Sequence, residues 1–81
     1  MAWGFLLVDT FRILGVTDNE VITNACVGRS NYYKMKRGRS INMEAFVRMY
    51  RYARRRIREQ VSRRLLPNDF EKMWTEQFKI E

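Results

Sequence analysis

From Asn42 to Leu66 the chain contains neither Gly nor Pro, and its apolar residues return every three to four positions. Met43, Phe46, Val47, Tyr50, Ala53, Ile57, Val61 and Leu65 hold that spacing. A strand would alternate on a period of two, so the stretch reads as one long amphipathic helix of roughly 33 Å at about 1.5 Å per residue. Asn42 stands where a cap is needed and Glu44 suits the first turn. Pro67 ends the run. Within 81 residues such a helix dictates the rest, which has to be short and has to cover it. A chain this small buries only about 60–65% of its unfolded surface, so the core is thin.

The remaining segments also read as helices. Residues 2–14 place Phe5, Val8, Phe11 and Leu14 at three-residue steps, with Leu7 and Ile13 beside them, and Gly15 is a natural stop. Thr17-Asp18-Asn19-Glu20 has the pattern of a capping box, opening a short helix marked by Val21, Ile22 and Ala25. After Gly28 a second short helix runs from about Arg29 to Lys36, with Tyr32 and Met35 as its buried pair, and Gly38 closes it. Asn68 with Glu71 resembles another capping box, opening a last helix with Phe70, Met73, Trp74 and Phe78 on one face. The expectation is an all-α single domain, 1–81, a compact bundle of about five helices.

Charge divides this domain unevenly. Sixteen Lys and Arg face nine Asp and Glu, for a net charge of +7. Residues 29–64 alone carry +11, while 1–28 and 65–81 each carry −2. Twelve of the sixteen bases are Arg, whose planar fork of donors suits phosphate and never loses its charge. A polyanionic partner is the first expectation.

Other chemistry finds little support. There is no His, and the single Cys26 excludes an intrachain disulfide or a Cys-cluster metal site, so no metal and no cofactor are expected. Cys26 itself reads as a small buried apolar group. The acids lack a nucleophile or pocket-forming length around them, which argues against an enzyme. The apolar start at Ala2–Val8 stops at Asp9, far short of a membrane span of about 20 residues. A reducing cytoplasm is the expected location.

Residues 17–39 resemble the helix-turn-helix of the Cro/repressor (XRE-like) family of phage and bacterial regulators. Thr17, Glu20, Val27, Ser30, Arg37, Gly38 and Arg39 stand where that pattern expects them. The likeness covers about residues 5–53, leaving 54–81 as the end of the basic helix plus a C-terminal helical extension. Three positions depart from it: Ile22 where a small residue is usual, Cys26 where Gly is usual, and Tyr32 where a branched aliphatic is typical. Cys26 has either to accept a positive φ, uncommon for a non-Gly residue, or to sit in a different turn.

The resemblance implies a lambda-repressor-like bundle that lays its second motif helix in the major groove of an operator. It assigns base reading to Gly28, Arg29, Ser30, Tyr33 and Lys34, with Tyr33 at the edge of that face. It assigns phosphate contacts to Asn19, Asn31, Lys36, Arg37 and Arg39. Arg51, Arg54, Arg55 and Arg58 on the long helix are candidate extra anion contacts. Leu65, Phe70, Met73, Trp74 and Phe78 are too apolar for a free end. They either complete the core or pair two subunits, and a homodimer on a two-fold operator is the expectation. The implied function is a sequence-specific transcriptional regulator, a repressor or autoregulator of phage or plasmid type. Two rivals stand beside it: a protein-binding module that inhibits a nucleic-acid-handling complex, and an RNA binder acting through the arginine-rich helix.

Overall fold

The computed structural model describes residues 3–78, which form five helices and no strand. They are α1 (Trp3–Leu14), α2 (Asp18–Asn24), α3 (Arg29–Lys36), α4 (Met43–Ser62) and α5 (Phe70–Glu76). Ala2, at the start of the first expected helix, lies outside the described residues. The all-α five-helix bundle is therefore as expected.

Local chemistry explains most helix ends. Thr17 caps α2 through a reciprocal box: the Glu20 N–H donates to Thr17 Oγ1 at 3.2 Å, and the Thr17 N–H donates to Glu20 Oε1 at 3.5 Å. Asn42 caps α4 by accepting the Ala45 N–H at 2.7 Å. Gly15 closes α1 with φ 70°, its own N–H reaching the Arg12 carbonyl while that of Val16 reaches Phe11. Gly38 closes α3 in the same way with φ 77°, the Arg39 N–H returning to the Lys34 carbonyl. Cys26 does adopt the positive φ that its turn requires, at 56°. Its side chain is exposed rather than buried, so the small-apolar-core reading of Cys26 is corrected.

The C-terminal third departs from expectation. α4 stops at Ser62 instead of continuing to Pro67, because Arg64 takes φ 62° and the Leu65 N–H turns back to the Gln60 carbonyl. The helix is thus about 30 Å long. Asn68 and Glu71 form no capping box. Asp69 is the N-cap of α5 and makes no side-chain cap bond, while Glu71 is drawn away by two arginines of α4.

α4 packs against α1, α2 and α5, and α3 packs against α1. With dimensions of 34 × 32 × 18 Å the molecule has room for no more than two helix layers in its short direction. The core is built from Leu7, Phe11 and Leu14 of α1, Val21 of α2, Tyr32 and Met35 of α3, Ala45, Met49, Tyr52, Ala53 and Ile57 of α4, and Trp74 of α5. The buried face of α1 is rotated from the expected one: Leu7, Thr10, Phe11 and Leu14 point inward, whereas Phe5 and Ile13 are more than half exposed. On α4 the expected stripe is shifted too. Met43 is exposed, as is Leu65 beyond the helix end, while Ala45, Met49 and Tyr52 are buried. Phe46 and Tyr50 form a second flank that meets α5, where Tyr50 stacks on Trp74 at 4.8 Å and stands edge-on to Phe78 at 5.2 Å.

One polar bond lies at the heart of this packing. Trp74 Nε1 donates to Thr10 Oγ1 at 2.8 Å, and that hydroxyl donates to the Leu6 carbonyl at 2.6 Å. Trp74 is only 4% exposed, so α5 completes the core of a single chain.

Candidate nucleic-acid interface

α3 begins at Gly28, whose φ of −66° and ψ of 142° are those of an extended N-cap without a side chain to offer. The first N–H groups of α3 therefore have no side-chain acceptor at the cap, and with the helix dipole they favour an anion. Gly28, Arg29, Ser30 and Lys34 are all exposed. Tyr33 is half-buried, edge-on to Tyr32 with ring centroids 5.5 Å apart. Arg37 and Arg39 flank the Gly38 turn and are exposed. Asn19 is exposed near the start of α2, and Asn31 is half-buried in a polar cleft shared with Gly28, Asn42 and Arg48.

The orientation of α3 relative to α2 is fixed by a three-membered clamp. Tyr32, 2% exposed, donates its hydroxyl to Asp18 Oδ1 at 2.6 Å. Lys36 Nζ lies 3.0 Å from Asp18 Oδ2 and 3.2 Å from Oδ1. The Tyr32 hydrogen bond, reinforced by Lys36, holds the Asp18 carboxyl below the usual carboxylate range against the opposing effect of burial. Burial, then the bond to Asp18, pushes the Tyr32 phenol well above its ordinary value. The turn between the two helices is held from a third direction. Arg48 Nη1 donates to the Cys26 carbonyl at 2.8 Å, while Nη2 of the same guanidinium pairs with Glu44 at 2.6 Å.

Ion pairing then sorts the bases into two groups. Lys36 serves Asp18, Arg48 serves Glu44 and the Cys26 carbonyl, and Arg54 and Arg58 converge on Glu71 at 2.9 and 2.7 Å. Arg58, with Arg54 behind it, holds the Glu71 carboxyl below its usual range, and Glu71 in turn raises the Arg58 guanidinium. Among the described residues no acid pairs with Arg29, Lys34, Arg37 or Arg39, nor with Arg51 or Arg55 of α4. Arg55 instead lies over the Tyr52 ring, 5.4 Å from its centroid.

The candidate set from the sequence is thus partly gathered and partly diverted. Gly28, Arg29, Ser30 and Lys34 stand exposed on one short helix, with Arg37 and Arg39 directly after it. Lys36, Arg54 and Arg58 carry internal structural duties. Of the apolar tail residues, Trp74 is in the core, Phe70 and Phe78 pack half-buried against it, and Leu65 and Met73 are exposed. The roles of Asp18, Arg48 and Glu71, which orient the site and dock α5, carry no mark in the sequence. Apart from the Arg48–Glu44 pair on one helix, their partners lie 13–22 positions away in the chain, beyond the reach of helix periodicity.

Compared with known proteins, the chain matches no family model, no curated protein and no solved structure. No helix of the described residues is long and apolar enough to cross a membrane.

Proposed function

We propose that this chain is a small DNA-binding regulator that presents the start of α3 to the major groove of an operator. What carries the reading is the sorting of charge: Arg29 and Lys34 of α3 and Arg37 and Arg39 of its exit loop stay exposed with no acid among the described residues, while Lys36 at the end of α3 and Arg48, Arg54 and Arg58 of α4 are matched to acids of the same chain. On this reading Arg29 pairs with guanine O6 and N7, and Lys34 reads further along the same helix. Arg37 and Arg39 hold phosphates and fix register. Repression then needs only occupancy of the operator.

The dimer part of this reading rests on Leu65 and Met73, the tail residues left exposed. Two side chains fall far below the ~800 Å² per partner of a standard interface. On this reading two chains pair chiefly through adjacent half-sites on DNA.

Alanine variants measured against duplex DNA test the assignment. Arg29→Ala and Lys34→Ala relax sequence preference, and each bidentate pairing to a base that is removed costs about 1–3 kcal/mol. Arg37→Ala and Arg39→Ala weaken binding to all sequences alike. An Arg29→Ala protein with unchanged affinity and preference overturns the groove assignment.

A further inference from the structure

A second cluster of uncompensated charge lies where the end of α2 meets the middle of α4, next to the cleft at the start of α3, with which it shares Arg48. A cleft of about 180 Å³ is lined there by Asn24, Ala25, Arg48, Arg51, Tyr52 and Arg55. Within α4 proper, Arg48, Arg54, Arg56 and Arg58 each have an acid nearby. Arg51 and Arg55 have none among the described residues. They stand four residues apart on one helix, where like charges repel and destabilise unless an anion lies between them.

The rest of the lining is prepared for such an anion. Tyr52, 4% exposed, accepts a hydrogen bond from Asn24 Nδ2 at 3.2 Å, which ties the two polar groups of the lining together. The Tyr52 ring supports the Arg55 guanidinium from below. Among the described residues no carboxylate lines the cleft. The C-terminal end of α2 opposes an anion through its carbonyls, but that helix has only seven residues and Arg48 already covers the Cys26 carbonyl.

We propose that Arg51, Arg55, the Tyr52 hydroxyl and Asn24 form a phosphate-binding site in the α2/α4 cleft, adjacent to the α3 surface. Its ligand is a phosphate oxyanion, taken either from a nucleic-acid backbone or from a free polyphosphate compound. The site does not depend on base reading by α3.

The test compares two variants of the full chain that remove the same charge. Arg51→Gln/Arg55→Gln empties the cleft of its cations, and Arg63→Gln/Lys72→Gln removes two exposed bases elsewhere. Tripolyphosphate is titrated into each and followed through the side-chain amide signals of Asn24 by NMR. The expected result is a saturable Asn24 shift, with affinity lowered about tenfold or more in the first variant and changed less than about twofold in the second. Equal weakening in both variants, or an Asn24 signal that never moves, overturns the site in favour of diffuse attraction. A parallel salt series with duplex DNA identifies the source. If the backbone is the ligand, the slope of log affinity against log salt shrinks by about 2 in the first variant only. If the slope is unchanged while tripolyphosphate binding is lost, the site serves free phosphate compounds. Failure of the α3 reading appears separately, as an absence of any effect of Arg29→Ala on duplex binding.

Discussion

Among the described residues, two hold a conformation that suits glycine better than themselves. Cys26 at φ 56° and Arg64 at φ 62° occupy the left-handed region, which costs a side chain roughly 1–2 kcal/mol, partly offset by the extra freedom glycine has when unfolded. Cys26→Gly and Arg64→Gly are each expected to raise stability by about 0.5–1 kcal/mol in denaturant unfolding; a loss of stability would show that the side chains compensate for the strain. Tyr32 makes the opposite kind of contribution, a buried hydroxyl tied to a carboxylate. Its phenol is held above its ordinary value in the folded chain, so the stability it adds is present below pH ~10 and drains away as pH rises further. Tyr32→Phe should cost about 1–3 kcal/mol at neutral pH and blunt the alkaline loss in a melting series. A variant that melts like the parent at pH 7 contradicts the clamp. Asp18 and Glu71 act at the acid end: both are depressed when folded, so their contribution is complete above the unfolded carboxylate range of about 4 and is lost as pH falls through their folded values.

At the scale of elements, the helix ends governed by local chemistry are legible in the sequence. Gly15, Thr17 with Glu20, Gly38 and Asn42 each act within three or four residues of themselves, and each does what its type and position imply. Elements whose ends depend on distant partners are not. Glu71 has the spacing for a capping box with Asn68, yet two guanidinium groups of α4 outcompete a backbone N–H for its carboxylate. The face of α1 escapes the apolar pattern because Thr10 counts as polar, although it is buried as the acceptor for Trp74. That bond also makes α5 testable. Thr10→Val keeps the shape but leaves the buried indole N–H without a partner, a loss of about 1–3 kcal/mol. Denaturation of the variant should show that loss, and an unchanged midpoint would mean that α5 is docked by its aromatic contacts alone. In the candidate interface, exposure of Arg29 and Lys34 follows from the helix period, and that of Arg37 and Arg39 from their place in the turn around Gly38. The diversion of Lys36, Arg54 and Arg58 does not, since a sequence shows how many bases there are but not which acid each one meets.

The whole molecule joins a five-helix fold with an uneven division of charge. Five short-looped helices bury one thin core, and the acids at the two ends of the chain reach inward to neutralise part of the basic centre. Asp18 crosses to α3, and Glu71 crosses to α4. What remains without an acid among the described residues is Arg29, Lys34, Arg37 and Arg39 on α3 and its exit loop, Arg51 and Arg55 on α4, and Arg63, Arg64 and Lys72 towards the C-terminal end, with net charge +7 behind them. The central claim is that the α3 concentration reads DNA. The most direct test is to select bound sequences from a random duplex pool with the purified protein, at about 50 and 200 mM salt, where six to ten phosphate contacts would cost roughly 10³–10⁵ in affinity. The account predicts enrichment of a defined site, repeated as inverted half-sites about one helical turn apart where two chains pair on DNA. Salt-sensitive binding with no enriched sequence would contradict it, leaving α3 as a surface for phosphate or for an acidic protein partner rather than a reader of bases.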